Sequence, residues 1–199
     1  MRFLRPSVVG IAFDLAAANG PAGAGPLHDA ARSGDLVAVE ALIAQGVPVD
    51  DRDQSEQTPL LGAALAGETA VAQALIAAGA DLVAPNDRGF TPLHAAAYSG
   101  SVEIATLLLD RGVDPDIMAV RDIRPLHVAA EENRVAVVEL LLDRGAELEA
   151  TRASGYTPLT AATFMQSTDV MVLLKGHGAE CQPFEILGAA FDNCLAAGN

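Results

Sequence analysis

The chain has 199 residues, 51% of them hydrophobic, and carries a formal charge of −14 from 12 basic and 26 acidic side chains. That apolar content supports a sizeable core and excludes a disordered chain. The acidity, with Lys175 the only lysine and no basic patch, excludes nucleic acid and anionic membrane surfaces as primary partners, since both require a positive footprint.

Residues 1–24 hold Arg2, Arg5, an apolar patch and an Ala22-Gly23-Ala24 sequence, the ingredients of an export signal. Pro6 opens the patch, however, and Asp14 cuts it to about seven residues, short for such a signal. The segment reads instead as an N-terminal cap that partly buries Val9, Ile11, Phe13 and Leu15. No later apolar run approaches the roughly 20 residues that span a bilayer.

From residue 25 onward the chain repeats. Pro-Leu recurs at Pro26, Pro59, Pro92, Pro125 and Pro158, a constant spacing of 33 residues. Gly46, Gly79, Gly112, Gly145 and Gly178 form a second column, and Leu42, Leu75, Leu108, Leu141 and Leu174 a third. Thr58, Thr91 and Thr157 precede the proline, which predicts a helix with Thr as N-cap and Pro at its first position. Small residues follow, such as Ala95, Ala96 and Ala97, so this helix lies close to its neighbours. It stops at Gly34, Gly67, Gly100, Asn133 and Gln166. Glycine and asparagine suit a left-handed stop, whereas Gln166 predicts a looser turn. A second helix carries apolar residues at helical spacing, such as Ile104, Leu107 and Leu108, and ends at the Gly112 column. About ten residues of turn chemistry then lead to the next unit.

These residues resemble the ankyrin repeat, whose hallmark T-P-L-H-x-A-A-x-x-G is nearly reproduced from Thr91 to Gly100. The resemblance covers residues 25–184 and implies an all-α solenoid of stacked helix-turn-helix units joined by β-turns. Leu61 and Thr160 replace the motif histidine, and Arg124 the motif threonine. Glu56 and Asp122 stand where a turn glycine is usual, so those two turns are expected to differ in shape. Residues 185–199 break the period: Phe191 stands where a sixth proline would fall, yet Ile186–Ala190 echoes Leu60–Ala64. They read as a shortened capping helix, and terminal repeats need such caps.

The search for chemistry finds little. The resemblance gives His28, His94 and His127 a structural role within the turns. His177, Cys181 and Cys194 lack a fourth ligand for zinc. Cys181 occupies the apolar slot of Val49, Leu82, Pro115 and Leu148, and both cysteines are expected as reduced thiols. No phosphate-loop, dinucleotide, nucleophile-elbow or metalloprotease motif occurs. Neither an enzyme nor a cofactor is expected.

Members of the ankyrin family bind partners on the concave side, formed by the turn tips and the outward positions of the first helices. In this register that side comprises Asp87, Arg88, Phe90, Tyr98 and Ser99, then Arg121, Ile123, Glu131 and Glu132, then Ser154, Tyr156, Phe164 and Met165. Between residues 25 and 183 the aromatic side chains are Phe90, Tyr98, Tyr156 and Phe164, and every one falls in this set. Aromatics and methionine are enriched at interfaces. The expected function is a non-catalytic, monomeric, cytoplasmic module that binds another protein or peptide, one with basic residues. The alternative is an exported, bacterial-type protein with a supporting role in stress defence, which cleavage of residues 1–24 would mark.

Overall fold

The computed structural model describes residues 25–197. The cap and export readings of residues 1–24 lie outside the described residues.

Each repeat folds as a helix pair: α1 (Pro26–Ser33) with α2 (Leu36–Ala44), α3 (Pro59–Ala66) with α4 (Thr69–Ala77), and α5 (Pro92–Ser99) with α6 (Val102–Asp110). Then come α7 (Pro125–Glu131) with α8 (Val135–Asp143), and α9 (Pro158–Met165) with α10 (Thr168–Gly176). The odd-numbered helices pack on one another in chain order as one layer, and the even-numbered helices form a second. Residues 33 apart in sequence are therefore neighbours in space.

The capping chemistry works as the sequence implies. The Thr58 and Thr157 hydroxyls accept hydrogen bonds of 3.3 Å from the N–H groups of Leu61 and Thr160. Gly34, Gly67 and Gly100 stop their helices in the left-handed region, and Asn133 does so at φ 53°. Gln166 departs from expectation. It adopts φ 61°, the same left-handed stop and not a looser turn. Its neighbour Ser167 is held by its N–H on Ala162 (2.9 Å) and its hydroxyl on the Glu131 carbonyl (3.0 Å), which offsets the roughly 1–2 kcal/mol of left-handed strain.

The core is aliphatic. Leu60, Leu93, Leu126 and Leu159 of the inner layer and Leu75, Leu108, Leu141 and Leu174 of the outer layer have no solvent exposure. Ala95, Ala96 and Ala97 are equally sealed, so their small size is what lets neighbouring helices approach. The histidine column stitches repeats together: Nε2 of His28, His94 and His127 lies 3.0–3.1 Å from the carbonyls of Gln57, Ile123 and Tyr156, each 29 residues on. Some acids also have structural work. Asp50, Asp116 and Glu149 accept from the N–H groups of Asp81, Glu147 and Glu180 in the following repeat.

Two expectations fail at the C-terminal end. The cap is not one helix but α11 (Phe184–Leu187), a 3₁₀ turn over Gly188–Ala190, and α12 (Phe191–Ala196). Gly188 lies at φ 54°, where the chain changes direction. That change brings Cys194 back to Cys181, and the two form a disulfide with Sγ–Sγ 2.07 Å and no free thiol remaining. Lys175 is engaged at this same end. Its Nζ donates to the carbonyls of Cys194 and Leu195 at 3.0 and 3.1 Å, and to that of Ala197.

Candidate binding surface

The turn tips form a ladder of their own. Asp87 N–H donates to the Ser55 carbonyl (3.1 Å), Val120 N–H to Arg88 (3.2 Å) and Ala153 N–H to Arg121 (2.9 Å). Within repeats two and three, an Asx turn sets each tip: the Asp53 carboxylate accepts from Ser55 and Gln57, and the Asn86 amide oxygen from Arg88 and Phe90. Glu56 (φ 58°) takes the left-handed conformation of Gly89 (φ 75°), so repeat two keeps the common shape. Repeat four does not. Ala119 has no side-chain acceptor, and Arg121 and Asp122 are both left-handed, at φ 65° and 58°. The tip there is pinched by an Ala119–Ile123 bridge and leaves Met118 and Val120 largely exposed.

The residues expected to face a partner divide into two groups. Asp87, Arg88, Arg121, Ser154 and Met165 are exposed, and Tyr98, Glu132, Tyr156 and Phe164 are half-buried. Phe90, Ile123 and Glu131, by contrast, are buried at 5%, 9% and 4% exposure, so they are not available to a partner. Ser99 is half-buried, with its hydroxyl on the Ala64 carbonyl at 2.8 Å.

Local geometry explains the correction for Phe90. The two Asn86 bonds and left-handed Gly89 turn the ring inward, where it meets His94 edge-on at 5.3 Å. Tyr156 occupies the same column but has Thr160, not a histidine, beneath it. Its ring lies instead against Phe164, with centroids 5.1 Å apart and planes tilted by 46°. The sequence pairs these rings by column; the structure pairs them across the tip and the inner helix.

Arg152, which the sequence did not single out, organises this end. It fills the slot of Asp53 and Asn86 but points back over the inner helix. Its guanidinium meets the Glu131 carboxylate at 2.6 Å and sits 5.1 Å from the centre of the Tyr156 ring. Ion pair, cation–π contact and ring pair join α7, α9 and the repeat-five tip into one surface. Next to it, burial pushes the Glu132 carboxyl above the usual carboxylate range, with Arg134 opposing and Glu131 adding to the effect. Burial also raises the Tyr98 hydroxyl, reinforced by Glu132 and countered by Arg134. Tyr98 and Glu132 thus share one electrostatic neighbourhood. Among the described residues, no group of three His, Cys, Asp or Glu side chains is arranged to hold a metal ion.

The family model for ankyrin repeats, in three copies, matches residues 27–119 and 118–184. The chain belongs to the ankyrin-repeat family. A search of curated proteins found no match to the chain. Ankyrin repeats generally act as protein–protein interaction modules and are typically non-catalytic. In this ankyrin stack, no helix among the described residues is long and apolar enough to cross a membrane.

Proposed function

We propose that this ankyrin stack is a non-catalytic, monomeric module that takes up a segment of another protein along its turn tips and inner helices. The anchors are Tyr98, Tyr156, Phe164 and Met165, with Asp87, Arg88, Arg121, Glu132 and Ser154 as the polar rim. The carrying observation is the half-buried Tyr156–Phe164 pair. Its rings are held in place by each other and by Arg152, so little conformational freedom is lost when a partner packs on them. The half-buried Glu132 carboxylate beside Tyr98 favours a partner segment with basic side chains among its apolar ones.

The test is affinity capture with the wild-type chain and with Tyr98→Ala/Phe164→Ala as control. A bound protein retained by the first and lost by the second, with both folded to the same thermal midpoint, supports this reading. Capture that is indifferent to both substitutions refutes it.

The disulfide favours one second element, an oxidising location. Disulfides persist in exported proteins and are rare in the cytosol. On this reading residues 1–24 are removed from the mature protein, and intact-mass measurement of natively expressed material decides between the locations.

A further inference from the structure

The last repeat departs from the common pattern at two inward-lying columns, and both departures meet the same segment. Lys175 stands where Ile43, Ile76, Leu109 and Leu142 stand in the other repeats, and Cys181 where Val49, Leu82, Pro115 and Leu148 stand. Lys175 Nζ caps the carbonyl end of α12 through Cys194, Leu195 and Ala197, and Cys181 is bonded to Cys194. Two attachments, one a set of hydrogen bonds from a charged donor and one covalent, therefore converge on one turn of helix.

Without them the segment has little to hold it. α11 has four residues and α12 six, each too short to persist on helix propensity alone. Leu187, Cys194 and Ala197 are its buried side chains, whereas Phe184 (62% exposed), Ile186 (37%) and Leu195 (48%) face outward. These three side chains, with half-buried Phe191 on the core and edge-on to Phe184, are few to set against the ordering of residues 184–197. Lys175 fixes where the helix end sits, but its hydrogen bonds are reversible and leave the undocked conformations open to the chain. The cross-link differs in kind. Closing 13 residues of separation removes most of the undocked conformations, a bias of about a hundredfold toward the docked segment.

We propose that the Cys181–Cys194 disulfide is a redox latch: intact, it keeps residues 184–197 docked on the fifth repeat, and its reduction releases them and uncovers the end of the stack. The reductant is a dithiol. One of its thiolates bonds to Sγ of Cys181, the half-exposed partner, and Cys194 leaves as a thiolate that takes up a proton. The second thiol of the reductant then closes its own disulfide and returns Cys181 as a thiol, so two electrons and two protons pass to the protein. Release also loosens α9, on which α12 packs and which carries Phe164 and Met165.

The test is amide hydrogen exchange on the full chain, oxidised and after treatment with dithiothreitol. On reduction, residues 184–197 should exchange at least about tenfold faster, α9 and α10 should follow to a smaller degree, and α5 and α6 should be unchanged. Cys181→Ser/Cys194→Ala should reproduce this pattern without reductant, which excludes a side effect of the reagent. Equal protection of 184–197 in oxidised, reduced and double-variant protein would overturn the latch. So would a loss of protection spread evenly over all five repeats, or two titratable thiols in air-oxidised protein.

Discussion

Replacing His94 by Leu, the residue that the second repeat carries at Leu61, should roughly halve the acid sensitivity of this protein. His94 and His127 have no solvent exposure. In each ring Nδ1 accepts from a backbone N–H (Thr91, Arg124; 3.3 Å), so Nε2–H donates to the carbonyl of the next repeat. A second proton at Nδ1 displaces that N–H bond; at His94 it meets only the Thr91 hydroxyl oxygen, 3.0 Å away, and both rings are sealed from water. Burial accordingly lowers each pKa from 6.5 to about 4, against the raising effect of the carbonyl bond. A depressed folded-state value means the associated stability is complete above about pH 6.5. It declines as the unfolded chain takes up protons and is lost as the pH falls through about 4. The slope approaches 1.4 kcal/mol per pH unit per ring, so moving from pH 7 to pH 5 removes about 2 kcal/mol for each ring and about 4 for the pair. Glu132 and Asp116, whose carboxyls are raised chiefly by burial, act in the opposite sense, losing their contribution as pH rises through their folded-state values. Urea unfolding at pH 7, 6 and 5 is the assay. His94→Leu should be less stable at pH 7 by about 1–3 kcal/mol, because the Ile123 carbonyl loses its donor. Its further loss on going to pH 5 should be smaller than wild type by about 2 kcal/mol. An undiminished pH dependence in His94→Leu would refute the assignment of acid sensitivity to the histidine column.

Leu108→Ala, at a position with no exposure in the central repeat, should cost about 2–5 kcal/mol by the same unfolding assay. Arg152→Ala should cost about 3 kcal/mol, because it strands a Glu131 side chain that is 2% exposed, and Glu131→Gln in the same chain should restore part of that loss. A cost under about 0.5 kcal/mol for Arg152→Ala would show that solvent or another group takes over the carboxylate.

The sequence by itself determined the period, the helix boundaries and the packing columns. These rest on short-range chemistry repeated at fixed spacing: a proline that starts a helix, a glycine or asparagine that ends it, and a leucine every 33 residues that must lie under its counterpart. The accessible part of the candidate surface was legible for the same reason, since half-buried Tyr98 and Phe164 and exposed Met165 occupy outward helix positions. What the tertiary structure decided are the contacts that depend on the chain's path between repeats. Whether a tip residue turns in or out depends on the residue beneath it: Phe90 meets His94 and is buried, while Tyr156 stands over Thr160 and leans on Phe164. The Arg152–Glu131 pair joins a tip to a helix 21 positions earlier, outside the repeat register. The Cys181–Cys194 bond exists because Gly188, at a positive φ, redirects α12 toward the stack, and a single backbone angle of that kind leaves no periodic trace in a sequence.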